Sequence, residues 1–556
     1  MIAKYLLQVT EMFNIDKNGL RSVASRPYFV YIAHFLCCKE EVSQLPKEQQ
    51  EREVRKVSEK LERFQRYLDQ MEQYRQIESQ MAWDMQTQTP KKGYGYKIDA
   101  ITYFSGENFR ITTSEETGKM YEEMSVPEEY DALSDVMKLT VRRGKREYDR
   151  NKRIPADFYE EMVRASNISS KVWEEAKQKA DYGLFCPHLQ KMIDFRRRCM
   201  EYMEPDKDIY DTMLDMYEEG MDSATIDRLF SQMKEELVPL FQKIMEKPEP
   251  DNRCFAGDYD INSQKELEAY LLSYIGFDKE AGVMGESEHP FTMAFGPGDV
   301  RVTNHFSRHD AIDAMFSTIH EGGHAIFEQG INPDYVKTAA VDIGMGMHES
   351  QSRFYENILG RNINFWKPVY GKVGEILPQF QKIPLEVFFR EINHVRPSFI
   401  RTAADELTYC FHIILRYEIE KAIFRDGVNA EELPALWNDK MEELLGIRPQ
   451  NAAEGILQDM HWSDGSFGYF PTYLLGTIYD GMFLEAMEKD LGSVDTLLAE
   501  DRIAEITAWL HEKIHRHGSM RTAAETLREV CGQEVTAEPI IRYFKKKYAE
   551  IYGVDA

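Results

Sequence analysis

The segment His320-Glu321-Gly322-Gly323-His324, near the middle of the 556-residue chain, constrains the fold more than any other feature. Two histidines four positions apart lie one turn apart on the same face of an α-helix, where their ring nitrogens can bind a single metal ion. The chain must therefore form a helix here and pack it so that this face borders a cleft.

The residues around this segment predict such a helix. Ser307 followed by Asp310 resembles a capping box, and an apolar stripe at helical spacing follows it. The stripe consists of Ile312, Met315, Phe316, Ile319, Ile326 and Phe327. The two histidines lie at its edge by helical angle. Each glycine costs about 1 kcal/mol in a helix interior, so the paired glycines predict that another backbone or a bound peptide packs closely against this turn.

Glu321 and a third ligand complete the chemistry that the spacing indicates. Glu321 lies beside the first histidine, where it can act as a base on a metal-bound water but is badly placed to bind the metal as well. A catalytic zinc ion takes three protein ligands and leaves one position open. Glu349 is the preferred third ligand, with His348 and Glu328 as competitors. An exposed i,i+4 ion pair with Arg353 is the alternative interpretation of Glu349.

Most of the remaining chain has helical periodicity. The helical patterns cover residues 156–245, 263–275, 308–330, 347–360, 386–426, 434–445, 496–516 and 520–549. Gly296-Pro297-Gly298 separates two short β-prone runs between Phe291 and Phe306, which predicts a hairpin. The predicted fold class is mainly α with one small β-sheet.

The N-terminal part of the chain divides into two segments. Residues 1–46 carry an apolar cluster and the adjacent Cys37 and Cys38, and we interpret them as an N-terminal extension of unknown role. From Glu51 to about Met81, recurrent apolar positions among charged residues predict a long amphipathic helix packed on the body. A coiled-coil partner segment is the alternative. Residues 47–556 are predicted to form a single domain.

Composition argues against several partners and locations. The 95 acidic and 68 basic residues give a formal charge of −27, and a polyanionic surface repels phosphate backbones, so nucleic acid is not expected as a partner. The seven cysteines are odd in number and lack the spacing of a zinc site, which favours free thiols in a reducing compartment. Without a signal-peptide or membrane-spanning pattern, we expect a cytoplasmic location and no membrane partner.

Six short motifs follow one another over about 180 residues of the chain. They are His289-Pro290-Phe291, Asp299-Val300-Arg301-Val302-Thr303, the segment 320–324, His348-Glu349-Ser350-Gln351, Ile400-Arg401-Thr402-Ala403-Ala404-Asp405-Glu406, and Gly455-Ile456-Leu457-Gln458-Asp459-Met460-His461-Trp462 leading into Gly468-Tyr469-Phe470-Pro471-Thr472-Tyr473. In this order they resemble the Taq-type metallocarboxypeptidases, the thermostable-carboxypeptidase family. The resemblance runs from about Trp83 to Tyr479 and leaves residues 1–46 unexplained.

The resemblance implies a large helical, two-lobed metallopeptidase fold with a deep substrate groove, like that of neurolysin and angiotensin-converting enzyme. It implies release of single amino acids from peptide C-termini with broad specificity, and a cytoplasmic homodimer. It also implies one divalent ion, zinc in the first place and cobalt as the alternative, bound by His320, His324 and Glu349, with Glu321 as general base.

Further site residues follow from the resemblance. His461 and Tyr473 are the candidates for stabilising the oxyanion of the tetrahedral intermediate, with Tyr469 ranked below them. Arg401 and Arg301 are the candidates for binding the terminal carboxylate of the substrate, because a guanidinium pairs with a carboxylate through two hydrogen bonds.

Each arginine also has a structural alternative. For Arg401 it is an ion pair with Asp405 on its own helix, and for Arg301 it is a contact with Asp299 within the hairpin. Asp405 or Glu406 is the candidate for orienting a metal-binding histidine through a hydrogen bond.

Two other functions stay open at this point. An oligopeptidase that cuts internally has the same metal motif and the same kind of groove. A non-enzymatic peptide-binding protein with a residual metal site is the second alternative, although the intact Glu321 argues against it.

Overall fold

The computed structural model describes residues 47–248 and 252–555. They form two compact units, the first made of described residues up to 153 together with 333–342, and the second of the rest. The predicted N-terminal extension, residues 1–46, lies outside the described residues. A single domain over residues 47–556 stays a prediction.

The first unit is helical. It contains α1 (Lys47–Thr87), α2 (Tyr94–Thr112), α3 (Glu115–Met124), α4 (Pro127–Tyr130) and α5 (Asp135–Asn151), with 3-10 turns at Lys91–Gly93, Pro333–Tyr335 and Ala339–Val341. Leu61 and Phe64 of α1 are buried in one apolar cluster with Met120 and Tyr121 of α3. The long helix predicted for residues 51–81 is therefore confirmed, and its buried apolar side chains from Leu61 onward pack within its own unit.

The second unit contains the remaining helices. Before the sheet come α6 (Ala156–Lys179), α7 (Tyr182–Met203), α8 (Ile209–Tyr217), α9 (Ser223–Met245) and α10 (Ile261–Ile275), and after it come α11 (Ala311–Gly330), α12 (Met345–Arg353), α13 (Ile363–Ile376), α14 (Leu385–Ile392), α15 (Glu406–Phe424), α16 (Leu433–Leu445), α17 (His461–Asp464), α18 (Phe470–Leu491), α19 (Val494–Ala499), α20 (Ile503–Lys513), α21 (Ala523–Cys531) and α22 (Glu538–Tyr552). The mainly α fold class is confirmed.

A small sheet joins β1 (Gly282–Glu286), β2 (Thr292–Gly296) and β3 (Asp299–Asn304) in the order β1-β3-β2. Strands β2 and β3 form the predicted hairpin, with Thr292 opposite Val302. Strand β1 runs parallel to β3, with Gly282 opposite Val300. The sequence did not predict β1, because its two glycines and its partly exposed residues weaken the strand signal.

The helix that carries the histidine pair begins three residues later than the sequence indicated. Asp310 caps α11, since its Oδ1 accepts hydrogen bonds from the N–H groups of Ile312 and Asp313. Ser307 instead forms an isolated bridge with Asp310 ahead of the helix, so the capping box predicted at Ser307 is wrong. Asn304 at the end of β3 donates to the Ala314 carbonyl at 2.9 Å and ties the sheet to α11.

The continuous helical pattern predicted for residues 386–426 is also wrong. Helix α14 ends at Ile392, α15 begins at Glu406, and a 3-10 turn at Arg401–Ala403 lies between them. A proline disfavours helix at the residue before it, and Pro397 lies in this gap. Asp405 caps α15 through the N–H groups of Leu407 and Thr408, so the predicted ion pair between Arg401 and Asp405 on one helix does not form in the described structure.

The predictions of free thiols and of no membrane-spanning segment can be compared with the structure only over the described residues. Cys186, Cys199, Cys254, Cys410 and Cys531 are free thiols, as expected, whereas Cys37 and Cys38 lie outside the described residues. None of the helices in the described ranges is long and apolar enough to cross a membrane.

Candidate metal centre

Three side chains from two helices converge at the predicted site. His320 and His324 lie on α11, and Glu349 lies on α12. The Oε2 atom of Glu349 is 3.8 Å from Nε2 of His320 and 3.5 Å from Nε2 of His324. Ligands bound tetrahedrally at about 2.0–2.2 Å lie about 3.3–3.6 Å from one another. The donor types and their spacing therefore fit one divalent ion, and no other cluster of this kind occurs among the described residues.

The two competing candidates for the third ligand pair with each other. His348 Nε2 lies 2.8 Å from Glu328 Oε1, and the His348 ring stacks on His324 with centroids 4.4 Å apart. Arg353, the alternative partner of Glu349, donates from Nε to Thr477 Oγ1 at 2.7 Å. These contacts leave Glu349 as the carboxylate that faces both histidines of the predicted motif.

The paired glycines of the motif are explained by helix packing. A Cβ atom at position 323 would lie 2.6 Å from the carbonyl oxygen of Gln351 and 2.8 Å from Cα of Ser352, both backbone atoms of α12. At position 322 it would meet the side chains of Ile275 and Leu272 on α10. The sequence left open whether another backbone or a bound peptide packs against the paired glycines. At Gly323 the close neighbour is another backbone, that of α12. This approach brings Glu349 on α12 close to His320 and His324 on α11.

Glu356 orients His320, and the sequence analysis missed it. It lies in a π-helical turn, Phe354–Leu359, that follows α12, and its Oε2 is 2.8 Å from Nδ1 of His320. An Nδ1–H donated to a carboxylate fixes the ring and leaves Nε2 for the metal. Glu356 lies seven positions after Glu349, nearly on the same helical face, and this spacing was the available signal.

The residues predicted for this orienting role lie elsewhere. Asp405 caps α15, and Glu406 forms a buried ion pair with Lys547 of α22. The expectation that Asp405 or Glu406 orients a metal-binding histidine is therefore wrong. The helical pattern had placed both residues inside a continuous helix that the structure breaks.

The hairpin positions the candidate base. Thr292, at the start of β2, donates from Oγ1 to Glu321 Oε2 at 2.6 Å and to the Glu321 carbonyl oxygen at 3.0 Å. Glu321 is buried, and burial raises the pKa of its carboxyl although His320 and Thr292 oppose the rise. A carboxylate with raised proton affinity and a fixed orientation suits a general base. Thr292 was not predicted as a site residue, although it directly follows the His289-Pro290-Phe291 motif.

The electrostatics of the centre favour a bound cation. Burial lowers the pKa of His320, but Glu349 and Glu356 outweigh burial and raise it to about 9. Burial and the neighbouring His348 lower the pKa of His324 to about 3. Burial raises the pKa of Glu349, but His320 and His324 outweigh it, so the net direction is downward. The ionised carboxylates of Glu349 and Glu356 lie close to the two imidazoles, and their negative charge favours a cation between these groups.

The residues predicted for oxyanion stabilisation lie together. His461 Nε2 is 3.3 Å from Tyr473 Oη, and the Tyr469 ring centroid lies 5.4 Å from that of His461 and 5.3 Å from that of Tyr473. Burial lowers the pKa of His461 to about 4, although Asp459 opposes it. Burial raises the pKa of Tyr473 well above its ordinary value. Near neutral pH both groups are therefore uncharged and able to donate a hydrogen bond.

The two candidate arginines have different surroundings. Arg401 is buried, forms an ion pair with Asp459 at 3.0 Å, and has its guanidinium 4.9 Å from the centroid of the Tyr473 ring. Arg301 donates to both carboxylate oxygens of Asp299 at 2.8 and 2.7 Å. The structure thus shows the predicted alternative contact for Arg301, and it groups Arg401 with the oxyanion candidates.

Three residues around Arg401 were missed as site residues. Asp459 lies between Arg401 and Arg416. Burial raises the pKa of its carboxyl, but the two guanidiniums outweigh burial and hold this pKa well below the ordinary range. The hydroxyl of Tyr409 accepts from Arg401 Nη1 at 3.0 Å. Asp459 was in a quoted motif, whereas Arg416 and Tyr409 lie on α15, outside every motif.

Packing of α12 against α15 and α18 links this cluster to the metal centre. The Arg353 guanidinium of α12 lies 4.2 Å from the centroid of the Tyr409 ring of α15. A Cβ atom at Gly476 of α18 would lie 3.1 Å from Cγ of Glu349, so α18 touches the candidate third ligand one turn after Tyr473. The second unit therefore holds both clusters side by side.

Comparison with known proteins identifies the family. Residues 63–548 match the family model of the carboxypeptidase Taq (M32) metallopeptidases. The chain belongs to this family. It is 42% identical over 482 residues to carboxypeptidase 1 of Bacillus subtilis, an alignment that covers 86% of this chain and 96% of the relative. It is 34% identical over 484 residues to thermostable carboxypeptidase 1 of Thermus thermophilus, with 85% and 95% covered.

The solved M32 structures have the same fold. The M32 carboxypeptidase from Deinococcus radiodurans superposes with a TM-score of 0.85 at 29% identity, covering 89% of this chain and 100% of that one. Membership in the M32 family confirms the predicted family, the helical metallopeptidase fold, and the class of enzyme, a metal-dependent carboxypeptidase.

Gly323→Ala is expected to push α11 and α12 apart, because the new Cβ would lie within 3 Å of two backbone atoms of α12. We expect the free energy of unfolding to fall by about 1–3 kcal/mol, measured by chemical denaturation, and Zn²⁺ affinity to fall in a competition titration. Gly371→Ala on α13 is the control, since a Cβ there meets nothing within 4 Å and alanine favours helix by about 1 kcal/mol. Similar results for the two variants would contradict the close approach at Gly323.

Proposed function

We propose that this chain releases amino acids one at a time from peptide C-termini with broad side-chain tolerance. One divalent ion is held by His320, His324 and Glu349, and Glu321 is the general base. The observation that carries the proposal is the packing of this ligand set beside the buried Arg401 cluster in one unit. Zn²⁺ is the preferred ion, because two imidazoles and a carboxylate form its usual catalytic ligand set, and Co²⁺ is the alternative.

Glu321 moves the protons of the reaction. When bound, the ion supplies Lewis-acid polarisation of the scissile carbonyl and lowers the pKa of water. The Glu321 carboxylate takes a proton from the attacking water and delivers it to the nitrogen of the leaving amine. Thr292 holds one carboxylate oxygen of Glu321, so the orientation of the base does not depend on the substrate.

The second cluster stabilises charge on the substrate. The uncharged imidazole of His461 and the phenol of Tyr473 donate hydrogen bonds to the developing oxyanion. Arg401 binds the terminal carboxylate, and its contacts with Asp459 and Tyr409 fix the plane of its guanidinium before substrate arrives. This anchor favours exopeptidase action over internal cleavage, because an internal cut places no free carboxylate beside the scissile bond.

Three further proposals rest on the family resemblance. We propose a homodimer, a cytoplasmic location, and one catalytic domain over residues 47–556. Peptides are the proposed substrates, and nucleic acid and membranes are not proposed as partners.

The exchange of Glu321→Gln separates the base from the ligands. We expect the variant to bind Zn²⁺ with nearly wild-type stoichiometry but to lose about 10²–10⁴-fold in kcat, because the amide cannot take the proton of the water. Glu349→Gln is the matched variant, and there we expect loss of bound Zn²⁺ as well as of turnover. Metal analysis of both purified proteins beside their kcat values checks this. Wild-type turnover in Glu321→Gln would remove Glu321 as the base.

Arg401→Ala tests the carboxylate anchor. Hydrogen bonds to a charged group are worth about 1.5–3 kcal/mol, so we expect kcat/KM for a free C-terminal peptide to fall about 10–100-fold. Cleavage of the C-terminally amidated form of that peptide, weak in the wild type, is expected to change little. Arg301→Ala is the control and should leave the ratio of the two substrates unaltered. Equal losses on both substrates would show that Arg401 is structural.

A further inference from the structure

A buried carboxylate touches the beginning of the helix that carries the third ligand. Glu218 directly follows α8, and only 2% of its surface is exposed. Its Oε2 accepts the N–H of Gly346 at 2.6 Å, and the N–H of Met347 also donates to its carboxylate. Both donors belong to the first turn of α12.

Helix α12 has no cap from its own sequence. Its N-cap residue is Gly344, which has no side chain to accept a hydrogen bond, whereas the first N–H groups of a helix need acceptors. The neighbouring helices α8, α9, α10 and α11 are capped by local aspartates, namely Asp208, Asp222, Asp260 and Asp310. The acceptor for α12 instead comes from a residue 128 positions before Gly346.

Two glycines make room for this carboxylate. A Cβ atom at position 344 would lie 2.4 Å from Glu218 Oε1, and one at position 346 would lie 2.5 Å from Oε2. Any larger residue at either position would displace the carboxylate or the helix. The Gly344-Met345-Gly346 sequence therefore matches the carboxylate sterically as well as through hydrogen bonds.

Burying this carboxylate is costly. No lysine, arginine or histidine forms an ion pair with it among the described residues, and burial raises its pKa to about 7. The hydrogen bonds from Gly346 and Met347 offset part of that cost. The positive end of the helix dipole also favours a negative charge at this position.

The rotation of α12 determines where its third-ligand carboxylate lies. Glu349 follows the capped turn immediately, and the helix is held on its other sides by α11 at Gly323 and by α18 at Gly476. At the N-terminal end, Glu218 accepts the N–H of Gly346, and His348 pairs with Glu328 of α11. Loss of the Glu218 contact would let the first turn fray and would move Glu349 relative to the histidines of α11.

We propose that Glu218 is a positioning residue for the metal centre, which caps α12 from a distant part of the chain and so holds Glu349 at the histidine pair. The proposal rests on the proposed role of Glu349 as third ligand. Glu218 does not touch the ion or the substrate in this account. It acts through the first turn of α12.

The test is the affinity of the metal-free full-length protein for Zn²⁺, measured by competition with a chromophoric chelator. We expect Glu218→Ala to weaken binding about 10–100-fold, the range found when residues that orient metal ligands are removed. Glu218→Gln keeps one acceptor oxygen and is expected to lose less. The visible spectrum of the Co²⁺-loaded protein should change in Glu218→Ala, because the spectrum reports the ligand geometry.

Asp222→Ala is the matched control. It removes the cap of α9, which carries none of the proposed ligands, and is expected to keep Zn²⁺ affinity within about twofold and the Co²⁺ spectrum unchanged. Equal Zn²⁺ affinities in Glu218→Ala and Asp222→Ala would overturn the proposal. Glu349→Ala distinguishes failure of the Glu218 proposal from failure of the proposed ligand set. Wild-type Zn²⁺ affinity in Glu349→Ala would overturn the proposed ligand set.

Gly346→Ala keeps the proposal testable if Glu218→Ala does not fold. Alanine is the better helix former, so helix propensity alone predicts no loss in this variant. We expect weaker Zn²⁺ binding, because the new methyl group displaces the Glu218 carboxylate. Unchanged affinity and an unchanged Co²⁺ spectrum would overturn the proposal.

Discussion

The close approach of α11 and α12 at Gly323 is the contact on which the rest of the centre depends. At this point the backbones are so close that a single methyl group does not fit between them. The approach places the Glu349 carboxylate within 4 Å of both histidine Nε2 atoms. The contacts of Glu356, Thr292 and Gly476 support residues of these two helices.

Charge explains why the supporting residues are where they are. The proposed ligand Glu349 and the orienting carboxylate of Glu356 surround His320, and their summed charge favours a cation at the centre. The positive charge of Arg353, one turn after Glu349 on α12, faces the Tyr409 ring, and Arg401 contacts the same ring. In the proposed mechanism the ion polarises the scissile carbonyl of the peptide, and Arg401 binds its terminal carboxylate.

Local patterns in the sequence predicted the features of the fold that are set by residues close together in the chain. The helix with His320 and His324 follows from spacing and an apolar stripe, and the hairpin follows from its Gly-Pro-Gly turn. Glu356 and Thr292 reach the site through long-range packing and a π-helical turn, and their positions near Glu349 and the His289-Pro290-Phe291 motif did not by themselves indicate these contacts. Arg401 was placed on a continuous helix because apolar residues keep helical spacing across the gap that contains Pro397. The family-like motifs made Arg401 a candidate for binding the substrate carboxylate. Its contact with Asp459 is seen only in the structure.

Metal-dependent removal of C-terminal residues is tested by following product masses while the purified protein digests a defined unmodified peptide. The protein is stripped of metal with a chelator and then reloaded with Zn²⁺. We expect no products from the stripped protein and, after reloading, a series of peptides that shorten by one residue at a time from the C-terminus. Internal fragments, or the same products with and without metal, would contradict a metal-dependent carboxypeptidase built on α11 and α12.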